Sequence, residues 1–157
     1  MNIKQLLHPK RTLVMNMPMG RKKQIFELIA KLFDETLYGV AFKSILNCLQ
    51  NREQLSSTNM GNGVAIPHGR ITELNAPVAC LIKLDNPIKY DDHGYPVDII
   101  LGLLAPTCNN EQHIEALSIV AEGLSDSALL NKIKTAKSSE SLYNLFVTDP
   151  VYTELEI

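Results

Sequence analysis

The spacing of apolar positions divides the chain into elements. Ile3 to Leu7 reads as a short helical start and Thr12 to Met15 as a short strand. "MNMPMG" then breaks the chain, because proline and glycine interrupt regular structure. From Arg21 to Thr36, residues Ile25, Leu28, Ile29, Leu32 and Phe33 recur at three- and four-residue steps, which predicts an amphipathic helix. Gly39 ends it, and a second helix is predicted over Val40 to Leu49 with Phe42, Ile45 and Leu49 inward. Residues 53 to 63 are polar and glycine-rich and read as a loop.

Strand patterns follow. Ala76 to Leu84 is rich in strand formers and stops at "DNP", whereas Val97 to Leu104 is nearly all apolar up to Pro106. So continuous a run suits a central strand covered on both faces. Between them, "YDDHGYP" is turn chemistry. "NNEQHIEALSIVAEGL" opens a helix on asparagine caps, with Ile114, Leu117, Val120, Ala121 and Leu124 as its expected apolar stripe. "DSALLNKIKTA" and "SSESLYNLF" predict two more short helices, the second capped by Ser138 or Ser139. Helices bracketing a cluster of strands imply an α/β fold: a single domain over residues 1–157, its mixed β-sheet flanked by helices on both sides.

Composition narrows the function classes. With 45% apolar residues, 20% charged residues and a formal charge of -2, the chain lacks the basic surface that nucleic acid requires. Its longest apolar run, Ile99 to Ala105, is far too short for a bilayer, so no membrane insertion is expected. Pro9, Lys10 and Arg11 interrupt the N-terminal stretch before it could resemble a secretory signal, and a cytoplasmic location is the expectation. Cys48, Cys80 and Cys108 are odd in number and lack metal-site spacing. They are expected to be buried small hydrophobes in a reducing compartment. His8 and His93 read as surface residues, and adjacency in a turn keeps Asp91, Asp92 and His93 from converging on a metal. No metal or organic cofactor is expected.

One stretch carries chemistry: "SSTNMGNGVAIPHGR", residues 56 to 70. Gly61 and Gly63, with Asn62 between them, can take positive φ and turn backbone N–H groups toward an anion. Ser57 and Thr58 add hydroxyl donors suited to phosphate oxygens. Pro67 stiffens the backbone entering His68, and Gly69 is expected to leave room for a partner beside the imidazole. A neutral imidazole is abundant near neutral pH and can accept a phosphoryl group on nitrogen. A pure anion-binding module with no covalent chemistry fits the same residues.

The stretch resembles the active-site motif of the enzyme IIA proteins of the mannitol/fructose type in the bacterial phosphotransferase system. The resemblance lies in Ser57-Thr58, Gly61-Asn62-Gly63 and Val64-Ala65-Ile66-Pro67-His68-Gly69, and it extends over essentially the whole chain. It implies that His68 accepts a phosphoryl group from an HPr-like phosphocarrier. It also implies a supporting role for His113, which "NNEQHIEAL" puts in the first turn of a helix, where the dipole favours a neutral ring. A core-edge histidine bonded to backbone is the alternative there. Arg52 stands where the family has an arginine near the active site, and a guanidinium can clamp phosphate oxygens. Arg70 touches phosphate or partner, or is simply solvated. Asn59 stands where close relatives often carry glycine, and asparagine tolerates the same left-handed geometry.

Two branches of the family are open. "GNGVAIPHGR" and "ALSIVAEGL" look more like the nitrogen type, a regulator whose relatives bind potassium transport components or sensor kinases according to phosphorylation state. The other is a sugar-specific subunit that passes phosphate to a IIB domain.

Overall fold

A computed structural model describes residues 1–92 and 94–148. The reading of His93 lies outside these residues. In chain order the elements are α1 (Ile3–Leu6), a 3-10 turn (Pro9–Arg11), β1 (Thr12–Met15), α2 (Lys22–Thr36), α3 (Phe42–Leu55), β2 (Asn59–Gly61), β3 (Val64–Ala65) and β4 (His68–Ile71). There follow β5 (Val78–Ile88), β6 (Val97–Pro106), α4 (Asn110–Gly123), α5 (Ser127–Thr135) and α6 (Ser139–Thr148).

The sheet runs β1-β5-β6-β3-β2, and β4 also pairs with β6. β5 and β6 are antiparallel, while β1 joins β5 and both β3 and β4 join β6 in parallel, so the sheet is mixed. β6 alternates between two apolar cores. Ile99, Leu101 and Leu103 meet Ala116, Ile119 and Val120 of α4, with α1, α5 and α6 completing that layer. Ile100 and Leu104 meet Ile25, Ile29 and Phe33 of α2 and Ile45 and Leu49 of α3 on the opposite face. Each such side chain contributes about 1.5–3 kcal/mol when fully buried, and this two-faced burial makes β6 read as one apolar run.

Several sequence expectations shift. The helix expected to end at Leu49 continues to Leu55, and part of the expected 53–63 loop is strand β2. Glu53 fastens that end, accepting from the backbone N–H and the hydroxyl of Thr58. β5 runs past "DNP" to Ile88 because the ladder to β6 is irregular between Lys83 and Ile88, and a broken ladder tolerates Pro87. Of the expected α4 stripe, Val120 and Leu124 are buried and Leu117 and Ala121 pack against the core, but Ile114 is exposed, and Ala116, Ile119 and Gly123 complete the inner face. Small residues let α4 lie close to the sheet, which rotates its buried face away from Ile114. Of the cysteines only Cys80 is fully buried; Cys48 is half-buried and Cys108 is exposed.

Candidate functional site

Pro67 sets the local geometry. Lacking an N–H, it cannot extend the ladder, and it separates β3 from β4 along the same flank of β6. Neighbouring bonds fix it on both sides: Ile66 N donates to Thr58 O, and Leu103 N donates to Pro67 O. His68 is therefore the first residue of β4, and its half-buried ring alternates along the strand with buried Gly69. Its Nδ1 lies 2.8 Å from the Ile66 carbonyl oxygen. A carbonyl only accepts, so Nδ1 carries the proton and the lone pair of the neutral ring is on Nε2. Burial, the strongest influence, lowers the His68 pKa, and the Arg52 charge acts the same way; the Ile66 bond and Glu53 oppose them.

His68 lines a pocket of about 300 Å³ with Cys48, Asn51, Arg52 and Leu55 of α3, Gly69 and Arg70 of β4, and His113 of α4. Arg52 is held at the end of α3 by an Nη1–H bond to Ser56 O at 2.9 Å. Arg70 lies two residues beyond His68, hence on the same strand face, and its Nη2–H donates to Thr107 O at 2.9 Å. The His113 ring centroid is 5.9 Å from that of His68. Burial lowers the His113 pKa first, followed by the charges of His68 and Arg70, the direction of the neutral ring expected from the sequence. Two guanidinium groups and two imidazoles line this space and, among the described residues, no carboxylate does, so an oxyanion is the ligand it favours. Arg70 Nε and His113 Nδ1 are buried without a hydrogen-bond partner among the described residues.

The rest of the motif is elsewhere. Ser57 donates to Asp91, and Thr58 is buried against Glu53 and Tyr90. Gly61, Asn62 and Gly63 have φ of 85°, 58° and 83° and form the β2–β3 turn. None of these five residues lines the His68 pocket. The Asp98 carboxylate lies close beside the turn, 2.8 Å from where a Cβ on Gly63 would stand. Asn59 is not left-handed; its side chain accepts from Gly61 N and donates to Tyr95 O. Gly69 leaves no room for a partner, because the place of its Cβ is filled by Cys48 Sγ. Sequence reasoning missed Cys48 and Glu53 as shapers of the site. Cys48 is four residues before Arg52, so helical spacing could have found it; nothing local announces the Glu53–Thr58 bond.

A mixed sheet covered on both faces by helices is the fold this chain shares with solved phosphotransferase IIA structures. The solved structure of nitrogen regulatory protein IIA-Ntr from Neisseria meningitidis matches at a TM-score of 0.81 and 32% identity, covering 91% of this chain and 97% of that one. The chain belongs to the phosphoenolpyruvate-dependent sugar phosphotransferase system EIIA 2 family, whose model matches residues 5–148. It is 37% identical over 146 residues to the nitrogen regulatory protein of Pseudomonas aeruginosa, covering 92% of this chain and 94% of that protein. IIA mannitol from Escherichia coli shares the fold, with a TM-score of 0.71 at 16% identity over 88% of this chain and 96% of that one. Among the described residues, no helix is long and apolar enough to cross a membrane.

Proposed function

We propose that the chain is a cytoplasmic phosphoryl-accepting regulator of the nitrogen type, with His68 as the acceptor. The observation that carries this reading is the Nδ1–H bond to Ile66 O, which leaves a lone pair on Nε2 in a pocket walled by Arg52, Arg70 and His113. A phosphohistidine carrier like HPr docks over the pocket. The carrier's P–N bond breaks, its imidazole keeps the electron pair, and a P–Nε2 bond forms on His68. The His68 ring becomes cationic as it gains the phosphoryl group, and its Nδ1–H stays on the Ile66 carbonyl, whose dipole supports that charge. Phosphoryl transfer of this kind needs positioning and charge neutralisation more than proton chemistry, and Arg52 with a neutral His113 supplies them. The adduct brings up to two negative charges and changes which proteins the surface accepts; potassium transport components and sensor kinases are the targets in view.

Incubation with phosphoenolpyruvate, enzyme I and carrier tests the reading. We expect an acid-labile adduct on the intact protein and none on His68→Ala. Absence of an adduct on the folded protein overturns transfer in favour of an anion-binding module. Movement of the label onward to a IIB domain and then to sugar overturns the nitrogen branch.

A further inference from the structure

The guanidinium of Arg70 is half-satisfied where it rests. Nη2–H donates to the Thr107 carbonyl, yet Nε–H is buried with no acceptor among the described residues. A buried N–H without a partner is costly, and a guanidinium bonds a charged oxygen far more strongly than a neutral carbonyl. Thr107 is the pivot of the β6–α4 connection. Its N–H reaches Ile71 O at 3.3 Å, and two residues later Asn109 caps α4 by accepting from Gln112 N. His113, whose buried Nδ1 also has no hydrogen-bond partner among the described residues, sits in the first turn of that helix.

We propose that Arg70 is a two-position switch: it braces Thr107 while His68 is unmodified, and leaves Thr107 for the phosphoryl oxygens when His68 carries them. This rests on the phosphoryl-acceptor reading of His68 and adds a readout to it. Arg70 shares the strand face of His68 and lines the same pocket, so its guanidinium needs only side-chain rotation to change partners. Loss of the Arg70 bond frees the Thr107–Asn109 corner, which lies at the surface with Thr107 and Cys108 exposed. The surface that reports phosphorylation is then this corner and the first turn of α4, as well as the pocket mouth.

Amide hydrogen exchange and nitrogen–proton spectra of Thr107, Cys108 and Asn109 test the switch. His68 is loaded both by the carrier chain and chemically by phosphoramidate, whose P–N bond breaks to release ammonia as P–Nε2 forms. Phosphorus spectra report the adduct. In the natural sequence, loading should speed exchange at the Thr107 amide, which donates to Ile71 O, by about fivefold, the factor for one ordinary hydrogen bond, and should shift the Cys108 and Asn109 signals. Arg70→Gln should exchange fast before loading and show no further change after it. Its unmodified spectrum elsewhere shows that it folds, and Arg70→Lys, which keeps charge without the fork, should give a partial response. Unchanged exchange on loading the natural sequence overturns the switch, as does a full response in Arg70→Gln. If phosphoramidate loads His68 and the carrier does not, the acceptor reading fails while the switch is still measured. No adduct from either donor overturns both.

Discussion

Gly69 and Cys48 compete for one volume: a Cβ on Gly69 would overlap Cys48 Sγ and stand 3.3 Å from the Cys48 carbonyl oxygen. Cys48 Sγ in turn donates to Arg70 O, so the middle of α3 is seated directly on the backbone that carries His68 and Arg70. The absent side chain allows a helix to lie on the strand and aligns Arg52, one turn along, with the pocket. Gly69→Ala should therefore destabilise the fold by about 1–3 kcal/mol. Cys48→Ala in the same chain should restore part of the loss, the Cys48 carbonyl still being close. Urea unfolding of the four proteins checks this, and strictly additive effects would show that the two residues do not share space.

Thr58 and Glu53 form the second support. The Glu53 carboxylate takes the N–H and hydroxyl of Thr58, and Lys22 approaches it at 3.4 Å. With this side chain only 6% exposed, Glu53→Ala leaves the Thr58 N–H unpaired and its hydroxyl with Tyr90 alone. A loss of about 1–3 kcal/mol per stranded group is expected, with faster amide exchange at Thr58. A thermal midpoint equal to that of the natural sequence would contradict this role.

Arg52 and Glu53 pull the His68 pKa in opposite directions. Arg52→Gln removes a cation that disfavours imidazolium, so the pKa should rise. Glu53→Gln removes a carboxylate that favours it, so the pKa should fall. Ring-proton titration by NMR reads both signs, and a shared direction would rule out charge as the cause.

Burial holds His68 and His113 below the usual value of 6.5. As pH falls below about 6.5, the unfolded chain binds protons that the folded chain still refuses, so stability drops. Above that value their contribution is complete. The double variant His68→Asn, His113→Asn should lose less stability than the natural sequence between about pH 7 and pH 5. An equal loss of unfolding free energy between the two pH values in both proteins, measured by denaturant titration, would refute the link.

Legibility in the sequence followed the range of the interactions. Helix periodicity in α2, the apolar run of β6, the Asn109 and Ser138 caps and the restraint at Pro67 are local, and each was read correctly from neighbours in the chain. "IPHGR" likewise marked His68, whereas strand β4, which puts Arg70 on the same face, carries no local strand signal and came from pairing with β6.

Packing between distant elements decided what local patterns left open. The polar stretch at 53 to 55 stays helical because Glu53 finds Thr58. Ile114 faces solvent because close approach of α4 to the sheet rotated its apolar face. Ser57, Thr58 and the glycine turn look like phosphate donors in a one-dimensional reading, but their partners are Asp91, Glu53, Tyr90 and Asp98. The sequence by itself determined the histidine, the stiff backbone that presents it and the family. Only the tertiary structure decided the walls of its pocket, because these come from α3, β4 and α4, elements joined through a shared core and not by the chain between them.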